Sequence, residues 1–312
     1  MPKTLLILST HFIEKGIISE YKKMRDTPNV DAILAIDNTA YKYEFKNRIE
    51  NKIFYGISVK CFFFDSNLHD ELELPYFSHA NKKNFSDVMW FNGDYRFYYV
   101  RKFFPDYDYY WQIESDAFCN APTYEGFLKK FNNDRSDLIV QRITFVPRLE
   151  IERFYAKEWI YKNVDYYICI YPVVRLSARA VDFLYKRRLE HKKLYNPEGG
   201  KNAWIHCEHF TATELMNNGF NCTDLNEENV TIDADIYLND DRIFLTPDDK
   251  LYHPVKYGGK ELSDMKKYLR KYFFISERLI SLSFGINIDN LQKFHVYFND
   301  DFTLAVISLI GG

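Results

Sequence analysis

The sequence predicts an α/β fold in which a mostly parallel sheet is covered by helices on both faces. Three features of the 312-residue chain point there. Short apolar runs such as TLLILS, DAILAID and ISVKCFFFD do not alternate with polar residues, as expected of strands buried on both faces. Segments with helical spacing lie between them. No repeat, low-complexity stretch or linker rich in Pro, Gly or Ser divides the chain, so residues 1–260 read as one domain and 261–312 as a C-terminal extension.

The elements follow in order. Thr4 to Ser9 is the first strand, and a helix with one charged face runs from about Ile13 to Arg25. DAILAID ends at Asp37, and ISVKCFFFD ends at Asp65. The stretch NFSDVMWFNGDYRFYYVRKFFPD supplies a helix that Pro105 stops, and the strand YDYYWQIE follows. SDLIVQRITFV and YYICIYPVVRLS are further strands. SARAVDFLYKRRLEHKK is a helix opened by a Ser177 cap, and HCEHFTATELMNNGF is another, closed at Gly219 by a left-handed residue. In the extension, DMKKYLRKYFFISERLISLSF is helical, either packing its aromatics on the domain or lying at an anionic membrane surface through residues 265–282.

Composition narrows the function. The net charge of -3 offers no basic stripe for nucleic acid. Five cysteines are odd in number and lack C-x-x-C spacing, which argues against a disulfide framework or a zinc knuckle and for a reducing, cytoplasmic compartment. The N-terminal apolar run is too short for a signal sequence or a membrane span. No G-x-G-x-x-G, P-loop or G-x-S-x-G motif is present.

The run YDYYWQIESD ends in Glu114 and Asp116, two carboxylates at i and i+2 where a strand gives way to a turn. In open α/β sheets, ligands bind beyond the carboxyl ends of the strands. Hard oxygen ligands there suit Mg²⁺ or Mn²⁺, which leave positions open for phosphate oxygens. The structural alternative is that both acids cap the turn before Pro122.

An aromatic strand ending in acid-x-acid, then Ala117 and Phe118, resembles the D-x-D element of the GT-A glycosyltransferases, with Glu in the first position. The resemblance implies a Rossmann-like sheet with flanking helices and transfer of a sugar from a nucleotide-diphosphate donor to a glycan or lipid-linked acceptor. It also implies a hexosyltransferase-like, metal-assisted reaction in bacterial surface polysaccharide or lipopolysaccharide synthesis. Asp116 then matches the metal ligand, and Glu114 supports the metal or the ribose. The family's late histidine corresponds to His253 in KLYHPVKY, where Lys256 can meet a phosphate as a point charge; a surface loop is the alternative for His253.

The same resemblance places a catalytic carboxylate at a helix start, and HCEHFTATEL offers Glu208. Its alternative is an N-terminal turn acid, with His209 and Glu214 on solvated faces. Thr10 and His11 in the first strand-to-helix turn, and Asp37 at the end of the second strand, are the nucleotide-binding candidates. An Asx turn accounts equally for Asp37. Arg96 and Arg101 can reach a phosphate, although a solvated face is their expected place. A sugar-phosphate nucleotidyltransferase shares the sheet and the acids, and a non-catalytic glycan-binding protein would use the aromatic wealth for stacking on sugars.

Overall fold

The computed structural model describes residues 2–39, 43–75, 91–147, 164–195, 204–226, 228–232 and 248–255. Lys256 and the expected extension at 261–312, with its helix and membrane face at 265–282, lie outside them.

Strands β1 (Thr4–Thr10), β2 (Asp31–Asp37), β4 (Ile57–Phe64) and β5 (Tyr109–Glu114) run parallel in the order β4-β2-β1-β5. Helix α1 (Lys15–Arg25) links the first two, and the short α2 (Leu68–Glu71) and α3 (Tyr95–Phe103) precede β5. The α/β, Rossmann-like expectation holds. From β1 the chain builds outward through β2 and β4, then returns to place β5 on the other flank of β1. The crevice beyond β1 and β5 is therefore a topological switch point.

Both faces of these strands are apolar because both are covered. Leu5 and Ile7 pack into a core with α3, α5 (Ala178–Leu194) and α6 (Cys207–Asn217), while Leu6 and Leu8 pack into a second core that includes Ile17, Tyr21 and Met24 of α1. The far side of the sheet is completed by β8 (Tyr167–Ser177), antiparallel to β5, then β7 (Leu138–Phe145) and β9 (Cys222–Asp224). Helix α4 (Glu125–Lys129) follows the two-residue β6 (Phe118–Cys119), which joins β11 (Leu251–His253) and β10 (Val230–Ile232) in a small second sheet.

Two expected caps are present. Ser177 Oγ accepts from Ala180 N at 3.2 Å, and Gly219 has φ +72°. The short β6, β9, β10 and β11 have no counterpart in the expected elements, nor does the longer β3 (Ile49–Phe54), which forms an antiparallel hairpin with β4 through Tyr55 and Gly56, both at positive φ, as a type I′ turn requires. A tyrosine in place of the usual Asn or Asp hides that turn.

Helix α6 also differs from expectation. His209 and Glu214 are buried rather than on solvated faces. Glu214 pairs with Arg187 at 2.8 Å and lies 3.1 Å from His191 Nε2. Wedged between β8 and α5, the helix is buried from His209 to Leu215, so the polar residues of that stretch pair within the protein.

Beneath it lies a fully buried ion pair, Asp94 with Arg188 of α5 at 2.7 Å. Arg188 Nη1 also donates to Ile205 O at 2.9 Å, and the guanidinium stacks 3.8 Å over the Phe210 ring. Replacing Arg188 with Ala leaves the Asp94 carboxylate buried and uncompensated. The variant is expected to lose ~3–5 kcal/mol of stability in urea unfolding, and a loss within error of zero would show that the pair is dispensable.

Candidate functional site

The carboxyl edge of the parallel strands carries the site. β5 is buried up to Ile113, and its next residue is the first free to be charged. Glu114 lies beside Ser9 of β1 in the parallel register, at the switch point itself.

The small sheet then brings in a residue from far along the chain. β6 follows the acidic pair directly and pairs antiparallel with β11, Tyr252 opposite Phe118 and Leu251 opposite Cys119. Continuing that register by one residue sets His253 opposite Ala117. Val255 N donates to Asp116 O at 2.6 Å and closes the contact. His253 Nε2 lies 3.3 Å from Asp116 Oδ1 and 4.0 Å from Glu114 Oε2.

Two carboxylates and an imidazole, with one ligand atom from each within 4.8 Å of the others, form a mixed oxygen and nitrogen donor set. Such a set fits Mn²⁺ or Mg²⁺ with positions left over for substrate oxygens. The chain itself leaves this set under-used: His253 Nδ1 is buried with no hydrogen-bond partner, and Asp116 is about half exposed.

A cavity of about 150 Å³ opens beside the cluster, lined by Glu114 and His253 on one side and by Arg96, Tyr171, His206 and Glu208 on the others. Glu208 stands in the first turn of α6. His206 is the helix N-cap, its Nδ1 accepting from Glu208 N at 3.3 Å. An imidazole in the place of Ser or Asp conceals that cap from the sequence.

A β-bulge holds the Glu208 carboxylate. Val174 of β8 pairs with Val140 of β7, but the next paired residue of β8 is Ile170, opposite Gln141. Pro172, which has no N–H to give a ladder, sits within the unpaired stretch. Tyr171 is thereby freed, and its N–H donates to Glu208 Oε1 at 3.2 Å.

Burial raises the Glu208 carboxyl to about 7; the nearby Glu114 charge adds to the rise, while the Tyr171 N–H and His253 oppose it. Burial also raises Glu114, against the pull of Arg96 and with the help of the Asp116 charge. Two carboxylates facing one cavity are thus held toward the protonated form, the environment of groups that exchange protons.

Arg96 corrects the sequence reading. Its guanidinium is turned into the cavity, its side chain only 12% exposed and 3.6 Å from Glu114 Oε1, with Nε lacking any hydrogen-bond partner. Arg101, by contrast, pairs with Asp182 at 3.0 Å, away from the cavity. The apolar and aromatic run FYYV directly after Arg96 makes a cation on the inner face hard to foresee.

Glu114, Asp116, His253 and Glu208 are therefore brought together. The nucleotide candidates lie along the same edge but engage their own loops. Thr10 Oγ1 donates to Phe12 O at 2.6 Å and accepts from Phe12 N. His11 is exposed with its ring edge-on to Phe12. Asp37 Oδ1 accepts from Thr39 N at 2.9 Å and from its hydroxyl at 2.6 Å, the Asx turn. A second trio, His206, Glu208 and His209, is also within metal-binding distance; Nδ1 of its two histidines is already engaged, by Glu208 N and by the Tyr166 hydroxyl.

No protein family and no curated protein matches the chain. Among solved structures, the apo crystal structure of mouse xyloside xylosyltransferase 1 aligns with 81% of this chain and 97% of its own, at 13% identity and a TM-score of 0.42. A likeness of that degree sets up no correspondence between residues.

A carboxyl whose folded-state pKa is raised stabilises the fold fully below its unfolded value and loses that contribution as pH rises through the folded one. The metal-free wild type should therefore lose stability relative to Glu208→Gln between about pH 4.5 and 7. Thermal midpoints for both proteins across that range test it, and parallel curves would show that Glu208 titrates normally.

Proposed function

We propose that the protein is a GT-A-like glycosyltransferase, moving a sugar from a nucleotide-diphosphate donor to an acceptor hydroxyl. One observation carries this: the Glu114, Asp116 and His253 cluster faces Glu208 across a single cavity at the switch point of a Rossmann-like sheet. A cluster that can hold a divalent cation beside a half-buried carboxylate of raised pKa suits departure of a diphosphate on one side and activation of a hydroxyl on the other.

The nucleotide lies along the carboxyl ends of β1 and β2, near Thr10, His11 and Asp37, with Lys256 available to a phosphate. The diphosphate meets Glu114, Asp116 and His253, which would hold Mn²⁺ or Mg²⁺. When bound there, the cation offsets negative charge growing on the departing diphosphate. Arg96 reaches into the cavity from α3 and presents its unsatisfied N–H to the donor. Glu208, with Tyr171 N–H orienting one oxygen, accepts the proton of the attacking hydroxyl. A value near 7 keeps it partly ionised at neutral pH and basic enough to be useful.

The acceptor is a glycan or a lipid-linked glycan, and the setting is bacterial surface polysaccharide or lipopolysaccharide assembly in the cytoplasm, at the inner face of the membrane where residues 265–282 make contact. No helix among the described residues is long and apolar enough to cross a membrane. All five cysteines are free thiols, as a reducing compartment favours.

A thermal-shift panel of nucleoside diphosphates and nucleotide sugars, with and without Mn²⁺, tests the proposal, since a ligand of the native state raises the midpoint by mass action. One nucleotide is expected to give a metal-dependent shift that Asp116→Ala abolishes. Stabilisation by free glycans and by no nucleotide would instead mark a binding module.

Glu208→Gln should keep the donor-induced shift while kcat falls by about 10²-fold or more. The wild-type kcat should rise with pH as Glu208 ionises and level off once the carboxylate is formed. Wild-type turnover in Glu208→Gln would remove the general-base role.

A further inference from the structure

Among the described residues, strand β3 is the edge of the eight-stranded sheet, hydrogen-bonded on one side only, to β4. Its outer side is unusually inviting. Ile53 is 76% exposed, Tyr55 60% and Ile49 37%. Edge strands are normally blunted with charge, proline or a bulge to prevent pairing with other chains. The six residues of β3 contain no proline, no register shift interrupts their pairing with β4, and their two charges, Glu50 and Lys52, are opposite in sign.

The phase of the backbone is fixed by the hairpin. Phe54 and Ile57 flank the two-residue turn and form its closing pair, so the even-numbered residues of β3 direct their backbone groups to β4. Arg48 O, accepting from Phe63 N at 2.8 Å, lies in the same phase. The N–H and C=O groups of Ile49, Asn51 and Ile53 therefore point outward. No partner for them exists among the described residues.

The side chains are complementary to their own reverse. In Ile49-Glu50-Asn51-Lys52-Ile53, an antiparallel copy centred on Asn51 sets Ile49 against Ile53, Glu50 against Lys52, and Asn51 against itself. That centre also makes the 49–53 and 51–51 pairs the hydrogen-bonded ones, matching the outward phase, and makes Glu50–Lys52 a non-hydrogen-bonded pair, in which side chains approach closest. Charge and backbone phase select one register independently. A slide of one residue would put the outward-facing groups out of phase, and a slide of two would centre the pairing on Glu50 or Lys52 and set like charges against each other.

We propose that the protein forms a two-fold symmetric homodimer in which β3 pairs antiparallel with β3 of a second copy about Asn51, joining the two sheets into one. The occupant is a second copy because the strand is complementary to itself: each half would bring one Glu50 and one Lys52 to the seam, with about six new backbone hydrogen bonds along it. Within one chain Lys52 Nζ lies 3.5 Å from Glu50 Oε2 and donates to Glu44 O at 2.6 Å, so both charges are already held on the face where the partner's would arrive. An isologous contact of this kind closes at two and does not propagate.

Sedimentation equilibrium of the full chain from about 1 to about 100 μM, the range expected of a modest interface, reads the dimer directly. Asn51→Pro removes an outward N–H and no bond to β4. It should keep the wild-type circular dichroism and raise the dissociation constant at least about tenfold. Glu50→Lys and Lys52→Glu each place like charges across the seam and should be monomeric alone. Mixed together, they should form a heterodimer, because the first variant then brings only lysines to the seam and the second only glutamates. Should Asn51→Pro fail to fold, Ile53→Lys serves in its place. A monomer at every concentration would overturn the proposal, as would a dimer that neither Asn51→Pro nor the charge variants weaken.

Discussion

The buried pair of Asp94 and Arg188 is the interaction on which the arrangement of the cavity depends. Asp94 immediately precedes α3, whose second residue is Arg96, and Arg188 on α5 also binds the carbonyl of Ile205, next to the His206 cap of α6. The pair thus joins the two helix starts that line the cavity. Burying two charges is costly, and their attraction offsets the cost only when the geometry is good and the remaining donors are satisfied. Here Tyr98 donates to Asp94, and Trp204 nearby donates to Asn92 at 2.9 Å. An apolar pair of similar volume could fill the space, but it would not set the angle at which α3 and α6 begin. Gly93 shows how tight that meeting is, since a Cβ there would lie 3.1 Å from Cys207 Sγ and 3.4 Å from the Arg96 guanidinium.

The cavity itself follows from a conflict between burial and charge. Parallel strands covered on both faces carry charge only at their ends, and the carboxyl ends of β2 and β5 bring Asp37 and Glu114 to one edge. Acids gathered there repel one another and lose hydration, and the raised pKa values of Glu114 and Glu208 record that strain. Arg96 and His253 relieve part of it. A divalent cation would relieve more, which is why the same geometry that destabilises the empty cluster favours a metal and an anionic substrate.

Much of this is legible in the residues. The unalternating runs mark the buried strands, Pro105 and Gly219 mark helix ends, and the placement of Glu114 and Asp116 at a strand's carboxyl end singles them out without any geometry. What stays hidden has physical reasons. β3 escapes notice because its turn uses Tyr55 at positive φ, a conformation that sequence preference assigns to Asn, Asp or Gly. The inward course of Arg96 depends on which face of α3 meets β5, and a helix rich in aromatics on every side has too little periodicity to say. The burial of His209 and Glu214 reflects α6 being enclosed by β8 and α5, a property of tertiary packing that no window of sequence contains.

His253 is far from Asp116 in the chain, and what holds the two together begins on α1, away from the site. Glu20 is buried and pairs with Lys23 at 2.9 Å, and its Oε1 accepts from Cys119 N at 2.8 Å and from the Tyr124 hydroxyl at 2.7 Å. Burial raises its pKa, and these partners pull it back toward ionisation. Lys23 in turn covers the Phe118 ring at 3.9 Å. Both residues of β6 are thereby fastened to α1, β11 is fastened to β6, and His253 rides at the end of β11. Glu114 and Asp116 reach the site by the separate route of β5. The cluster is thus assembled from two structural lineages that meet at the Val255–Asp116 hydrogen bond, so its geometry is set by the core beneath it rather than by the loop that carries it.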